Sequence, residues 1–158
     1  MQESKLQDVT LLSWTLRVWK DHRRGVPMNS QESAVAYCMQ HHTEWWPDWD
    51  SIDPAIARAD ISIENRLIHI HHDAAIRRQL ENREVPQVCD LYDQLRQKGF
   101  EEFESIHTLV MALAEETWAA RENKESFNFE RYLERTTDHV KQALSRPNLT
   151  RIAKGKAY

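Results

Sequence analysis

The sequence predicts an all-α fold, a single-domain helical bundle of five to six helices. The chain has 158 residues, about the length of one domain, and contains only three glycines. Average usage of glycine is about 7%, so turn-forming residues are scarce, whereas the helix formers Leu, Ala, Glu, Arg and Gln are plentiful. A chain of this length buries roughly two-thirds of its unfolded surface, so we expect folding to need neither a disulfide nor a metal.

The first two helices are predicted from their apolar spacing and their boundaries. Apolar residues recur at helical spacing over residues 6–22, and Gly25 and Pro27 interrupt the pattern where a helix should end. Asn29 and Glu32 have the spacing of a capping box, which begins a second helix. This helix is expected to continue as far as Trp45.

A tryptophan-rich segment closes the second helix. Trp45, Trp46 and Trp49 surround Pro47 and could grip a partner, but a lid packed on the end of the bundle is the simpler interpretation because tryptophan buries a large area. Pro54 should then start a short helix, since proline is favoured in a first turn.

The third long helix, over residues 62–82, is expected to be buried on two sides. One apolar stripe contains Leu67 and Ile70, and a nearly opposite stripe contains His69, Asp73 and Ile76. The polar side chains of the second stripe therefore face a neighbouring helix. There they must be hydrogen-bonded or ligated, because an unsatisfied buried polar group costs roughly 1–3 kcal/mol.

Three further helices complete the bundle. Pro86 opens the fourth helix and Gly99 can end it in a left-handed cap. The fifth helix is predicted over residues 101–123, and Asn128 caps a sixth that ends before Pro147. The bundle domain is therefore expected to span residues 1–144.

Residues 145–158 form a basic C-terminal tail, which we expect to be flexible. The tail carries four basic residues and no acid, so it has charge +4 and the rest of the chain −8, given the total of −4. A cationic tail on an acidic body fits an anionic partner, and a solvated terminus is the alternative. The acidic total argues against a global attraction to nucleic acid or anionic membranes.

The cysteines and the hydropathy predict a cytoplasmic protein. Cys38 and Cys89 do not form a Cys-x-x-Cys motif, so they predict reduced thiols without a zinc or redox motif. The N-terminus lacks an apolar signal core, and no run approaches the roughly 18 apolar residues of a membrane span. We therefore expect no membrane association.

Histidines and carboxylates on three helices predict a transition metal site. His69 and Asp73 are four residues apart, and Glu104 and His107 three apart, so each pair shares one helix face. His42 on the second helix adds a third imidazole, and His107 is expected to face inward. This mixed nitrogen and oxygen donor set suits zinc, iron or manganese. The ion could carry hydrolytic or redox chemistry, with Glu104 as a fifth ligand or as a proton acceptor.

Several short motifs in this order and spacing resemble a known family. They are His42-Thr-Glu44 after Met39, Asn65 to His69 followed by Ile76 and Gln79-Leu80, the Pro86 turn, and Glu104-Ser-Ile-His107 with Leu113-Ala-Glu-Glu116 and Trp118. Over about residues 30 to 135 the chain resembles bacterial helical proteins of domain of unknown function 1841. The resemblance implies a small soluble bacterial helical protein with recurrent histidines, here His42, His69 and His107.

The chain also departs from that family pattern. Asp73 stands where the family has the second histidine of His-x-x-x-His, and Arg66 stands where it has the proline of Asn-Pro. An aspartate in place of a histidine makes the donor set harder and adds negative charge, which leaves the identity of the metal open. The family implies no activity.

A second function class remains open, a non-enzymatic module that binds a protein or nucleic acid through the tryptophans or the tail. In that case the histidines serve only the core, and Asp73 fixes the tautomer of His69. Glu115 and Glu116 are expected on a solvated face, and an apolar face could form a homodimer. The chain lacks nucleophile and nucleotide-binding motifs, so whether it is an enzyme, and with which catalytic residues, stays undecided.

Overall fold

The computed structural model describes residues 2–53 and 61–146, and the side chains of residues 11–53 and 62–146. These residues form seven α-helices, one 3-10 helix and no strand, which confirms the all-α helical bundle with slightly more helices than expected. The α-helices are α1 (Gln2–Arg24), α2 (Ser30–His41), α3 (Trp46–Ser51), α4 (Ile61–Glu81), α5 (Pro86–Gln97), α6 (Glu102–Glu122) and α7 (Phe129–Ser145), and the 3-10 helix is Thr43–Trp45.

The helices divide into two compact units, the first ending at Glu84 and the second beginning at Val85. In the first unit α2 packs against α1 and α4, and α1 also contacts α3. Its core includes fully buried Val18, Met39 and Ile70. In the second unit α6 and α7 pack against each other, and both contact α5.

Local signals in the sequence correctly mark several helix boundaries. Asn29 and Glu32 form both hydrogen bonds of the capping box at the start of α2, and the Asn128 side chain accepts a hydrogen bond from the Arg131 amide at the start of α7. Pro86 occupies the first turn of α5. Gly99, with φ of 87°, follows the end of α5, in the conformation that glycine adopts without strain.

The predicted continuation of the second helix to Trp45 is wrong. Helix α2 ends at His41, because His42 leaves the helical region with φ of −97° and ψ of 69°. The tryptophan segment instead forms the 3-10 helix and α3, and Pro47 lies in the first turn of α3, where its missing N–H is not needed.

Two other expectations lie outside the described residues, namely the short helix starting at Pro54 and the tail beyond residue 146. Within the described parts of the chain, no helix is long and apolar enough to cross a membrane.

Candidate metal site

Helix α4 presents His69 and Asp73 one turn apart. The helix is buried on two sides as predicted: Leu67 and Ile70 are buried on one stripe, and Asp73 and Ile76 on the other. Asp73 is only 5% exposed, whereas the His69 side chain is 26% exposed. The carboxylate is therefore held inside the first unit and the imidazole lies at its edge.

The end of α2 brings His42 to the same place. Because α2 packs against α4 and ends at His41, His42 is the first residue of the connection that follows, and it is buried. Its Nε2 lies 4.0 Å from Asp73 Oδ2, and His69 Nε2 lies at the same distance from that oxygen. The rings of His42 and His69 meet edge to face, with centroids 5.0 Å apart.

The spacing of these three side chains is compatible with a metal site. One donor atom from each lies within 4.8 Å of the others. Donors bound at about 2.1 Å in a tetrahedral site are about 3.4 Å apart, so contraction by roughly 0.6 Å would bring the 4.0 Å pairs to that spacing.

Glu44 and Trp45 contact the site from the 3-10 helix. Glu44 Oε1 lies 3.2 Å from His42 Nδ1, on the other side of the ring from Asp73. The pKa of Glu44 is lowered, first because a backbone N–H donates to its carboxylate and then through His42. The Trp45 ring stacks on His42 at 4.3 Å with an interplanar angle of 16°, and it meets the edge of His69 at 5.9 Å.

The tryptophan segment packs on the first unit, as the lid interpretation predicts. Trp49 is buried, and Trp46 Nε1 donates a hydrogen bond to the carbonyl of Met39. The guanidinium of Arg66 lies 5.5 Å from the centre of the Trp45 ring and pairs with Asp48. The segment thereby builds one wall of the site.

Cys38 lies one turn before His42 and is 1% exposed. Burial, together with the charge of Asp73 and against the opposing effect of Arg77, raises the pKa of its thiol to about 12. Cys38 is not part of the group of donor atoms that lie within 4.8 Å of one another. It therefore contributes to the surroundings of the candidate site.

His71 lies about 200° around the helix from His69, and neither His71 nor His72 belongs to the group of donor atoms formed by His42, His69 and Asp73. The Nε2 atom of His71 forms a hydrogen bond of 2.9 Å with the Thr15 hydroxyl of α1. Burial lowers the pKa of His71 to about 4, and burial also lowers the pKa of His72.

Glu104 and His107 belong to the second unit. The Glu104 carboxylate accepts a hydrogen bond from the Glu101 amide in the capping box of α6. His107 is exposed and stacks on Phe103, with centroids 6.3 Å apart, so the expectation that it faces inward is wrong. Its position follows from the helix register, which turns Ile106 and Val110 into the core of that unit. Metal ligation by Glu104 or His107 stays a prediction.

The second unit contains a charged network that the sequence analysis missed. The expected solvated position of Glu116 is wrong, because its side chain is 0% exposed. Its two oxygens accept hydrogen bonds from Arg131 Nε and Nη2 at 2.6 and 2.8 Å, from Arg135 Nε at 3.2 Å and from the Asn128 amide at 3.1 Å. The hydrogen bond from Arg131, with those of Asn128 and Arg135, lowers the pKa of Glu116 to about 2.

Comparison with known proteins gives one finding of similarity. Residues 10–138 match the model of a family described as a domain of unknown function, DUF1841. No similarity to a curated protein was found, and none to a solved structure.

Proposed function

Since the chain belongs to the DUF1841 family, which supplies no activity, we propose a function from the site itself. The first unit binds one transition metal ion, zinc, iron or manganese, through the Nε2 atoms of His42 and His69 and the carboxylate of Asp73. The observation that supports the proposal is the placement of two imidazole nitrogens at equal distance from one buried carboxylate oxygen.

The chemistry of the donors supports the same proposal. An ionised aspartate and two neutral imidazoles form a mixed oxygen and nitrogen set with net charge −1, which attracts a divalent cation. All three residues must be deprotonated to bind, so metal affinity should fall as the pH is lowered. No disulfide joins Cys38 and Cys89, in keeping with the proposal that this function operates in a reducing bacterial cytoplasm.

Metal content measures the proposal directly. We expect the protein, purified from cells grown with zinc, iron and manganese, to carry about one ion per chain by elemental analysis. His69→Ala and Asp73→Asn should lose most of it, and the matched control His72→Ala, on the same helix, should keep it. Circular dichroism of each variant establishes that the helices are retained.

Two results would contradict the proposal. One is a wild-type protein that neither contains nor takes up any of the three metals, and the other is a folded His69→Ala variant with wild-type metal content. Glu104→Ala and His107→Ala belong in the same measurement, because a loss of metal in either would add that residue to the ligand set.

A further inference from the structure

Each ring nitrogen of His42 lies near a carboxylate, one of them buried and the other exposed. Nε2 lies 4.0 Å from the buried Asp73, whereas Nδ1 lies 3.2 Å from Oε1 of Glu44. The Glu44 side chain is 60% exposed. The two nitrogens point in different directions, so Glu44 cannot bind the ion that Nε2 would bind, and its effect must pass through the ring.

A hydrogen bond to Nδ1 determines which nitrogen can bind a metal. A neutral imidazole carries one proton, and an ionised carboxylate only accepts. The 3.2 Å contact therefore places the proton of neutral His42 on Nδ1, where it is donated to Glu44. The lone pair of Nε2 is then directed toward Asp73 and His69. Metal-ligating histidines commonly have such an outer carboxylate, which fixes the tautomer and raises the basicity of the ligand.

We infer that Glu44 is a positioning residue that holds His42 as a metal ligand through its Nδ1–H, an inference that rests on the proposed function. Trp45 supports this role, because its ring stacks on His42 at 4.3 Å and so restrains the plane of the imidazole. Glu44 then fixes the proton within that plane. Both residues follow His42 in the 3-10 helix, so this short element serves the site as a unit.

Because Glu44 is mostly exposed, its effect on metal binding can be measured without an effect on folding. Removing a mostly exposed side chain should not disturb the core, so Glu44→Ala should fold like the wild type. Zn²⁺ affinity is measured by competition with a chelator at pH 7.5, and the tautomer of His42 in the metal-free protein by ¹⁵N-edited NMR. Glu44→Gln keeps an acceptor oxygen without the charge, and Glu64→Ala, which removes an exposed acid from α4, is the matched control.

We expect Glu44→Ala to lower Zn²⁺ affinity about 10- to 100-fold and to convert His42 from the Nδ1–H tautomer to a mixture. Glu44→Gln should keep the tautomer and lose less affinity, and Glu64→Ala should match the wild type. A wild type that binds none of Zn²⁺, Fe²⁺ and Mn²⁺ refutes the metal site itself, and with it the role of Glu44. If the wild type binds Zn²⁺, then equal affinity in Glu44→Ala, or a proton on Nε2 of His42 in the wild type, refutes the role of Glu44 alone.

Discussion

His71 should make the stability of the first unit depend on pH. Its pKa in the folded chain is about 4, against 6.5 for an unperturbed histidine, mainly because of burial and secondarily because of the charge of His72. A histidine whose folded pKa is lowered binds protons more strongly in the unfolded chain. Its stabilising contribution is therefore complete above about pH 6.5 and is lost as the pH falls toward 4.

The size of the effect follows from the shift. One pKa unit corresponds to about 1.4 kcal/mol, so the full shift of His71 amounts to about 3 kcal/mol. Most of this stabilising free energy is lost between pH 7.5 and pH 4.5. Allowing for the part of the ring that water reaches, we expect the free energy of unfolding to fall by about 2 kcal/mol through His71 alone.

Urea unfolding at the two pH values measures this contribution. His71→Gln has no titrating ring and can still hydrogen-bond to Thr15. Between pH 7.5 and 4.5 its free energy of unfolding should therefore fall by about 2 kcal/mol less than that of the wild type. Five of the six tryptophans precede residue 85, so tryptophan fluorescence reports mainly on the first unit. A chelator in the buffer removes any contribution from bound metal, because metal binding is itself pH-dependent.

The comparison with His71→Gln isolates His71 from the other titrating groups. These groups, including His72, remain in the variant and largely cancel in the difference. His41→Gln, a change at an exposed histidine, should leave the wild-type pH dependence intact. Equal loss of stability in the wild type and in His71→Gln would refute the reasoning, since it would mean that the buried ring titrates alike in the folded and unfolded chain.

Two further predictions concern the other buried polar groups. Glu116→Gln should destabilise the second unit far more than Glu115→Gln, because an amide has only one acceptor oxygen for the guanidinium groups. Hydrogen exchange of the backbone amides after residue 85 would measure this loss of stability. Similar exchange rates in the two variants would contradict the prediction. In the Cys89→Ser variant, Cys38 should react with iodoacetamide at pH 8 far more slowly in the native protein than in urea. The reason is that the Cys38 thiol is buried and its pKa is about 12. Similar rates in the two conditions would show that the thiol is accessible in the folded chain.

Local signals predicted the helices well because the relevant interactions are close in sequence. The Asn29 capping box joins residues three apart, and Pro86 and Gly99 act through their own backbone. The end of α2 was predicted too late. Apolar spacing continues through the tryptophans, and it does not reveal that His42 leaves the helical region or that Pro47 begins a new helix.

The candidate site was predictable in part for the same reason. His69 and Asp73 lie one turn apart on a helix, so their shared face follows from the spacing. The proximity of His42 requires α2 to pack against α4, which the sequence suggested only through its apolar stripes. The contact of Glu44 with His42 depends on a 3-10 helix that was not predicted.

Glu116 was misplaced because the groups that compensate its charge lie on another helix. Arg131 and Arg135 are four residues apart on α7, where like charges repel by a few tenths of a kcal/mol in an isolated helix. A carboxylate that accepts hydrogen bonds from both removes this repulsion. In this chain the arginine pair on α7 thus accompanies a buried acid on α6.

The buried carboxylates of the two units differ in what their partners can do. Guanidinium groups stay protonated at all physiological pH values and have no lone pair to offer, so Arg131 and Arg135 neutralise Glu116 without providing a donor for a metal ion. The partners of Asp73 in the candidate site are imidazoles, whose neutral form carries a nitrogen lone pair. Asp73 is thus accompanied by two side chains that can bind a metal ion. In the proposed site a divalent cation would supply positive charge and bind all three groups, which is why the first unit, and not the Glu116 network, is the one to test for metal.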